Sequence, residues 1–164
     1  MIKALVLCGG IPQVALIKEL KRRGIYTVLA DMNENVVGRK YADKFYPVSV
    51  LDVNGVKSVA EKENVNFVIT ACADQVLLVQ AQVSEMLGLP CYISCNTAKA
   101  VSRKEIMKRG FHENGIPTSK HVVMKYFNEK LLTDLSYPLI VKPVDSYSSR
   151  GVKKVFNLKE LKVV

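Results

Sequence analysis

"KALVLCGGIPQVALIKELKRRG", residues 3 to 24, runs apolar for six residues, breaks at Gly9-Gly10, and resumes with a different period. Val14, Ile17 and Leu20 recur at helical spacing, Pro12 suits the first helical turn, and Gly24 suits the stop. The stretch reads as strand, tight turn, helix. The alternation continues downstream. "IYTVLAD" (25 to 31) is a second strand, "KFYPVSV" (44 to 50) a third, and "DVNGVKSVAEKEN" (52 to 64) a helix opened by Asp52. "NFVITAC" (66 to 72) is a fourth strand, "DQVLLVQAQVSEMLG" (74 to 88) a helix closed by Gly88, and "LPCYIS" (89 to 94) a fifth short strand. Strands alternating with helices at this spacing imply a parallel sheet with helices on both faces. Residues 1 to 95 are therefore expected to form a small doubly wound, Rossmann-like α/β domain.

Ligands of such sheets lie in the crevice beyond the carboxyl ends of the strands. That position singles out Gly9, Gly10, Asp31 and the stretch "TACADQ" (70 to 75), with Asp74 and Gln75. Gly10 lets the chain turn tightly, and the free N–H groups of the following helix can receive an anion. Asp31 follows Gly10 by 21 residues, close to the roughly 20-residue spacing of a ribose-binding acid. "GGIPQV" lacks the third glycine of the dinucleotide fingerprint. Glycines that merely turn the chain, with Asp31 capping a strand, explain the same residues about as well.

The pattern changes after residue 95. "NTAKAVSRKEIMKRGFHENGIP" (96 to 117) offers caps at Asn96 or Thr97, a Ser102–Glu105 capping-box spacing, and a stop at Asn114-Gly115. "KHVVMKY" (120 to 126) is strand-like and "NEKLLTDL" (128 to 135) a short helix. "YPLIVKPV" (137 to 144) is a strand, "GVKKVFN" (151 to 157) its antiparallel partner across a serine loop, and "LKELKVV" starts another helix. Residues 96 to 164 are expected to open a second, α+β domain. Lys142 stands out, because both faces of its strand look apolar and an unpaired buried ammonium is costly. It calls for a carboxylate or an anionic ligand.

Composition limits the function classes. The chain has 164 residues, 49% of them hydrophobic, and a formal charge of +9. No run approaches the roughly 20 apolar residues of a membrane span, and the first apolar run is too short for a secretory signal, so a cytoplasmic protein with no membrane partner is expected. Cys8, Cys72, Cys91 and Cys95 lack the even spacing of a disulfide framework and read as reduced and mostly buried. Cys91, Cys95, His112 and His121 match no common zinc spacing. The positive charge attracts anions in general. It is scattered without interleaved aromatics, so solvated helix faces explain it better than a nucleic-acid stripe.

The order "SRKEIMKRGFHENGIPTSKHVVM", then "YPLIVKPVDSYSSRGVKKV", after a small α/β domain beginning "LCGGIPQ", resembles the front half of an ATP-grasp enzyme, in the style of carbamoyl phosphate synthase and biotin carboxylase. The resemblance covers the whole chain, and its specific part is the pair of segments around Lys104 and Lys142. It implies a pre-ATP-grasp domain over 1 to 95, contributing to the acceptor side through Gly9, Gly10, Asp31, Asp74 and Gln75. Residues 96 to 164 then become the lid part of the ATP-grasp domain. The resemblance makes Lys104 a lysine that reaches the ATP phosphates and Lys142 a strand lysine at the α-phosphate and adenine edge. Asp145, Ser146, Ser148, Ser149, Arg150 and Gly151 take the place of the phosphate-covering loop. That loop departs from the family pattern in having one glycine and a bulky Tyr147.

The implied chemistry is ATP- and Mg²⁺-dependent activation of a carboxylate, or of bicarbonate, as an acylphosphate for attack by an amine or ammonia. The family's metal ligands lie beyond the phosphate loop, where this chain offers only Glu160, so no metal site and no turnover are expected of these residues alone. A homodimer is left open. Two other classes stay in play: a nicotinamide dinucleotide module, which leaves "VKPVDSYSSRG" without a role, and a non-catalytic basic adaptor, which demands steeply salt-dependent nucleic-acid binding.

Overall fold

A computed structural model describes residues 1–144, 146 and 149–164. The chain divides into two compact units, Met1–Lys99 and Ala100–Val164.

In the first unit the strands are β1 (Lys3–Leu7), β2 (Tyr26–Ala30), β3 (Lys44–Tyr46) and β4 (Phe67–Ile69). The helices are α1 (Ile11–Arg22), α2 (Val53–Glu63) and α3 (Leu77–Met86). The four strands form one parallel sheet in the order β3-β2-β1-β4, with Leu5 beside Val28 on one side and Val68 on the other. Period-two alternation sends Leu5 and Leu7 to one face and Ala4 and Val6 to the other. The first pair packs with Val56, Val59, Val79 and Val83 of α2 and α3, and the second with Ile17 and Leu20 of α1. The sheet is therefore covered on both faces, as its apolar strands demand.

The strand-helix alternation is incomplete in two places. Between β2 and β3 there is a single 3-10 turn, Val37–Lys40, where a full crossover helix would normally stand. The expected fifth strand is absent: "LPCYIS" makes no ladder, and Pro90, Cys91 and Tyr92 are exposed. Pro90 has no N–H to give a neighbouring strand. Asp52 does cap α2, its Oδ1 accepting from the Asn54 N–H at 3.1 Å, and Gly24 and Gly88 take left-handed backbone at the helix stops. Glu63, at the end of α2, ties that helix to β3: its Oε1 accepts from Lys44 Nζ at 2.7 Å and from the Tyr46 hydroxyl.

α4 (Cys95–Ser102) runs across the division between the units. Its start is capped by Ser94, whose Oγ accepts from the Thr97 N–H at 3.1 Å, and not by Asn96 or Thr97. The second unit continues with α5 (Lys104–Glu113), a 3-10 turn (Glu129–Leu132), β5 (Leu139–Val141), β6 (Lys153–Val155) and α6 (Leu158–Leu161). The capping box does not form, because Ser102 is the last residue of α4 and Arg103 sits at the α5 cap position without a side-chain bond. β5 and β6 pair antiparallel, Ile140 opposite Lys154. "KHVVMKY" is no strand, since among the described residues the only sheet of this unit is the two-stranded one. β5 is also shorter and more open than an apolar reading of both faces suggests: Ile140 is 59% exposed, and Lys142 lies exposed beyond the strand end.

Candidate functional site

The carboxyl edge of the first sheet gathers three loops at the switch point between β1 and β4. The chain leaves β1 through Cys8, a non-glycine residue at φ 68°, and enters α1 through Gly10 at φ −69° and ψ −178°. The left-handed turn thus belongs to Cys8, one residue before the glycine pair, and Gly10 is extended. The need for glycine is at Gly9 and Gly38. A Cβ on Gly38 would stand 2.8 Å from the Gly9 carbonyl oxygen, which accepts the Gly38 N–H at 2.7 Å. Two loops meet there backbone to backbone.

Asp31 locks this arrangement. Its Oδ2 accepts the Gly9 N–H at 2.8 Å and its Oδ1 the Asn33 N–H at 2.8 Å. Each carboxylate oxygen already holds the protein's own backbone, so Asp31 shapes the crevice. Burial, and then the Asp31 charge, push the neighbouring Cys8 thiol up to about 11.

The third loop follows β4. Thr70 Oγ1 donates to the Leu7 carbonyl at 2.8 Å, the Thr70 N–H donates to Gln80 Oε1 at 3.1 Å, and Gln13 Nε2 donates to the Ala71 carbonyl. Asp74 and Gln75 begin the 3-10 turn Asp74–Val76 on the same loop and are exposed. Gly9, Gly10, Asp31, Asp74 and Gln75 therefore all lie at one edge of the sheet. Of the residues that hold this edge in shape, Thr70 opens the "TACADQ" stretch that the sequence singles out, whereas Gln13, Gly38 and Gln80 escape a motif search. The signal available was a glutamine at an apolar helix position, twice.

In the second unit a cavity of about 630 Å³ collects Lys104 from the start of α5, Lys142 from the end of β5, and Lys108. Its other walls include Val122, Met124, Leu135, Leu139 and Val141, with Glu105, His121 and Asp134 as further polar members. Lys104 Nζ donates to the Ser146 carbonyl, and Ser146 Oγ donates to the Arg150 carbonyl at 2.7 Å. Helix and loop are thereby tied together. The loop closes with Ser149 at φ 58° and Gly151 at φ 71°. Asp145, Tyr147 and Ser148 lie outside the described residues. Lys142 is not buried, so its ammonium keeps its hydration. What distinguishes it is convergence with Lys104 on one apolar-walled space, across 38 residues of sequence. The cavity thus sets two ammonium groups beside an apolar wall.

The four cysteines are free, Cys72 and Cys91 exposed and Cys8 and Cys95 half-buried, so the expectation of mostly buried thiols fails where Cys72 and Cys91 sit on loops. Among the described residues no group of three or more His, Cys, Asp or Glu could hold a metal ion. No helix is long and apolar enough to cross a membrane.

No protein-family profile matches the chain. Curated relatives do. A formate-dependent phosphoribosylglycinamide formyltransferase from Sulfurisphaera tokodaii is 30% identical over 97% of this chain and 41% of its own length. Its counterpart from Shewanella frigidimarina is 34% identical over 92% of this chain and 38% of its own length. Among solved structures, N5-carboxyaminoimidazole ribonucleotide synthetase from Thermotoga maritima superposes with a TM-score of 0.81 at 18% identity, covering 100% of this chain and 43% of that one. An L-amino acid ligase from Bacillus licheniformis gives 0.74 at 23%, covering 99% and 41%. The chain thus spans about two fifths of the length of the relatives it matches. The mixed α/β fold with its four-stranded parallel sheet is that of the N-terminal region of these structures, and the relatives that the chain resembles are ATP-grasp enzymes.

Proposed function

We propose that this chain supplies the acceptor-side crevice and the nucleotide lid of an ATP-dependent ligase. The observation that carries the reading is the convergence of Lys104 and Lys142 on one cavity with apolar walls. Its volume, about 630 Å³, lies within the range of ordinary ligand sites. Adenine would rest on the apolar wall while the two ammonium groups meet the phosphates. Lys104, tied to the Ser146 carbonyl, would bring the turn with Ser146, Ser149, Arg150 and Gly151 over the β- and γ-phosphates; Asp145 and Ser148 complete that proposed set.

ATP supplies the phosphoryl group that turns a poorly electrophilic carboxylate into an acylphosphate, and an amine or ammonia then displaces phosphate from it. The lysines contribute by position and charge, which is most of what phosphoryl transfer asks of a protein. Mg²⁺ would share the phosphate charge, and its ligands are not found as a cluster among the described residues. Formate is the acid in the names of the relatives at 30% and 34% identity, and bicarbonate is the acid that a carbamoyl phosphate synthase-like reading implies. Both are one-carbon oxyanions that a phosphoryl group can activate. The acceptor belongs to the crevice of Gly9, Gly10, Asp31, Asp74 and Gln75. Residues 1 to 95 then act as the pre-ATP-grasp domain and 96 to 164 as the lid.

Calorimetric titration tests the nucleotide half of this reading. ATP with Mg²⁺ should bind more tightly than NAD, and Lys142→Met, which keeps the length and loses the charge, should weaken ATP by about tenfold, the worth of one charge-assisted hydrogen bond. Equal ATP affinity in a folded Lys142→Met protein would remove Lys142 from the site.

A further inference from the structure

Gln13 lies in the first turns of α1 and is only 3% exposed, although its helix otherwise buries Ile17 and Leu20. A buried carboxamide costs stability unless its polar atoms are bonded. Its Nε2 donates to the Ala71 carbonyl on the loop after β4. Its Oε1 lies 3.1 Å from the place a Cβ on Gly10 would take. Gln13 therefore stands beside the β1–α1 turn with one end and donates to the β4–α3 loop with the other. The β1–β4 ladder reaches only Val6 and Ile69. Beyond that pair side chains take over: Thr70 joins the two strand ends through the Leu7 carbonyl, and Gln13 joins the start of α1 to Ala71.

We propose that Gln13 is a positioning residue for the acceptor crevice. Its amide ties the loop that carries Asp74 and Gln75 to the turn that carries Gly9 and Gly10, so that both walls keep one geometry when the acceptor arrives. Without the tie the loop opens locally while the sheet beneath it stays folded. The role in acceptor binding rests on the assignment of the crevice made above; the tie itself does not.

Thiol labelling separates the two. Cys8 and Ala73 pack against the same apolar cluster, so an opened loop uncovers Cys8, whereas Cys95 at the start of α4 serves as an internal reference. With 4,4′-dithiodipyridine as probe and mass spectrometry as readout, Gln13→Met should speed Cys8 labelling about tenfold relative to Cys95, the effect of one lost buried hydrogen bond on a local opening equilibrium. Gln13→Glu, which sets an acceptor against the Ala71 carbonyl, should speed it further. Circular dichroism identifies the folded variants. An unchanged Cys8 rate in folded Gln13→Met means the side chain only fills space, and the proposal falls.

The second arm adds phosphoribosylglycinamide, the acceptor in the names of the two formyltransferase relatives. It should slow labelling of the exposed Cys72 in the unmodified chain and do so at least about tenfold less effectively in Gln13→Met. Faster Cys8 labelling in the variant, with no protection of Cys72 in the unmodified chain, would overturn the acceptor assignment and leave the tie in place.

Discussion

The two units reach stability by different means. In the first, Leu5, Leu7, Ile17, Val28 and Leu29 are fully buried between sheet and helices. In the second, Val155 and Leu161 are the only deeply buried apolar side chains among the described residues, at 2% and 8% exposure, while Ile140, Tyr126 and Phe156 are more than half exposed. Where the first unit has a closed core, the second has a cavity with apolar walls. A two-stranded sheet is marginal by itself. What the contrast teaches is a division of labour: a sheet edge on which loops are fixed by side-chain bonds, and a unit whose apolar side chains line a cavity instead of closing a core.

Core truncation is the strongest way to break that comparison. Leu29→Ala, on the α1 face of the sheet, should cost about 2–5 kcal/mol, because the close-packed site cannot collapse around the void. Leu139→Ala, on half-buried β5, should cost about 1 kcal/mol or less. Urea unfolding followed by circular dichroism measures both. A loss at Leu139 as large as that at Leu29 would mean the second unit has a closed core after all.

Acid sharpens the difference. Hydrogen bonds from Lys44 and then Tyr46 outweigh burial and hold the Glu63 carboxyl below its ordinary value of 4.5. A carboxyl lowered in the folded state contributes stability in full above its unfolded value, and loses it as pH falls through the folded one. Melting temperatures should therefore drop on acidification below 4.5, and Glu63→Gln, less stable at neutral pH, should show a shallower drop. Among the described residues of the second unit, the Arg103–Glu105 and Lys162–Glu129 ion pairs are long, at 3.6 Å and 3.7 Å. A Glu63→Gln protein as acid-sensitive as the parent would place the source of that sensitivity elsewhere.

The legible parts of the sequence were those where local chemistry and tertiary packing agree. Asp52, Gly24 and Gly88 mark helix ends by rules that act within a few residues, and the structure uses all three. The apolar runs of β1 and β2 are buried on both faces, and β4 buries Val68 with Phe67 and Ile69 half-buried, so their pattern carries the sheet. "LPCYIS" and "KHVVMKY" have strand composition but no partner strand, and pairing is a non-local property that composition does not hold. Lys142 shows the same limit. Its neighbours looked buried in sequence, yet an apolar residue is buried only if something covers it, and β5 has one neighbour. In the crevice, Gly9, Gly10 and Asp31 were visible by spacing. Gln13 and Gly38 were not, because their partners stand 58 and 29 residues away in sequence.

Two glycines test the contrast at the smallest scale. Gly38 meets backbone: an added Cβ would stand 2.8 Å from the Gly9 oxygen and 3.0 Å from its Cα, atoms that cannot swing aside as a flexible side chain would. Gly38→Ala must part the two loops, strain the hydrogen bond between them and disturb the Asp31 contacts next door, at a cost of about 1–3 kcal/mol. Gly110 lies inside α5 with no atom within 4 Å of its added Cβ. Gly110→Ala removes backbone freedom from the unfolded chain without a clash, and should stabilise its helix by up to about 1 kcal/mol. Opposite signs are thus expected for one chemical change, read as the unfolding transitions of the two units. A neutral Gly38→Ala would show that the crevice loops are loosely apposed. A destabilising Gly110→Ala would show that α5 is covered in solution on the face that carries this glycine, and that the second unit is less open than its cavity implies.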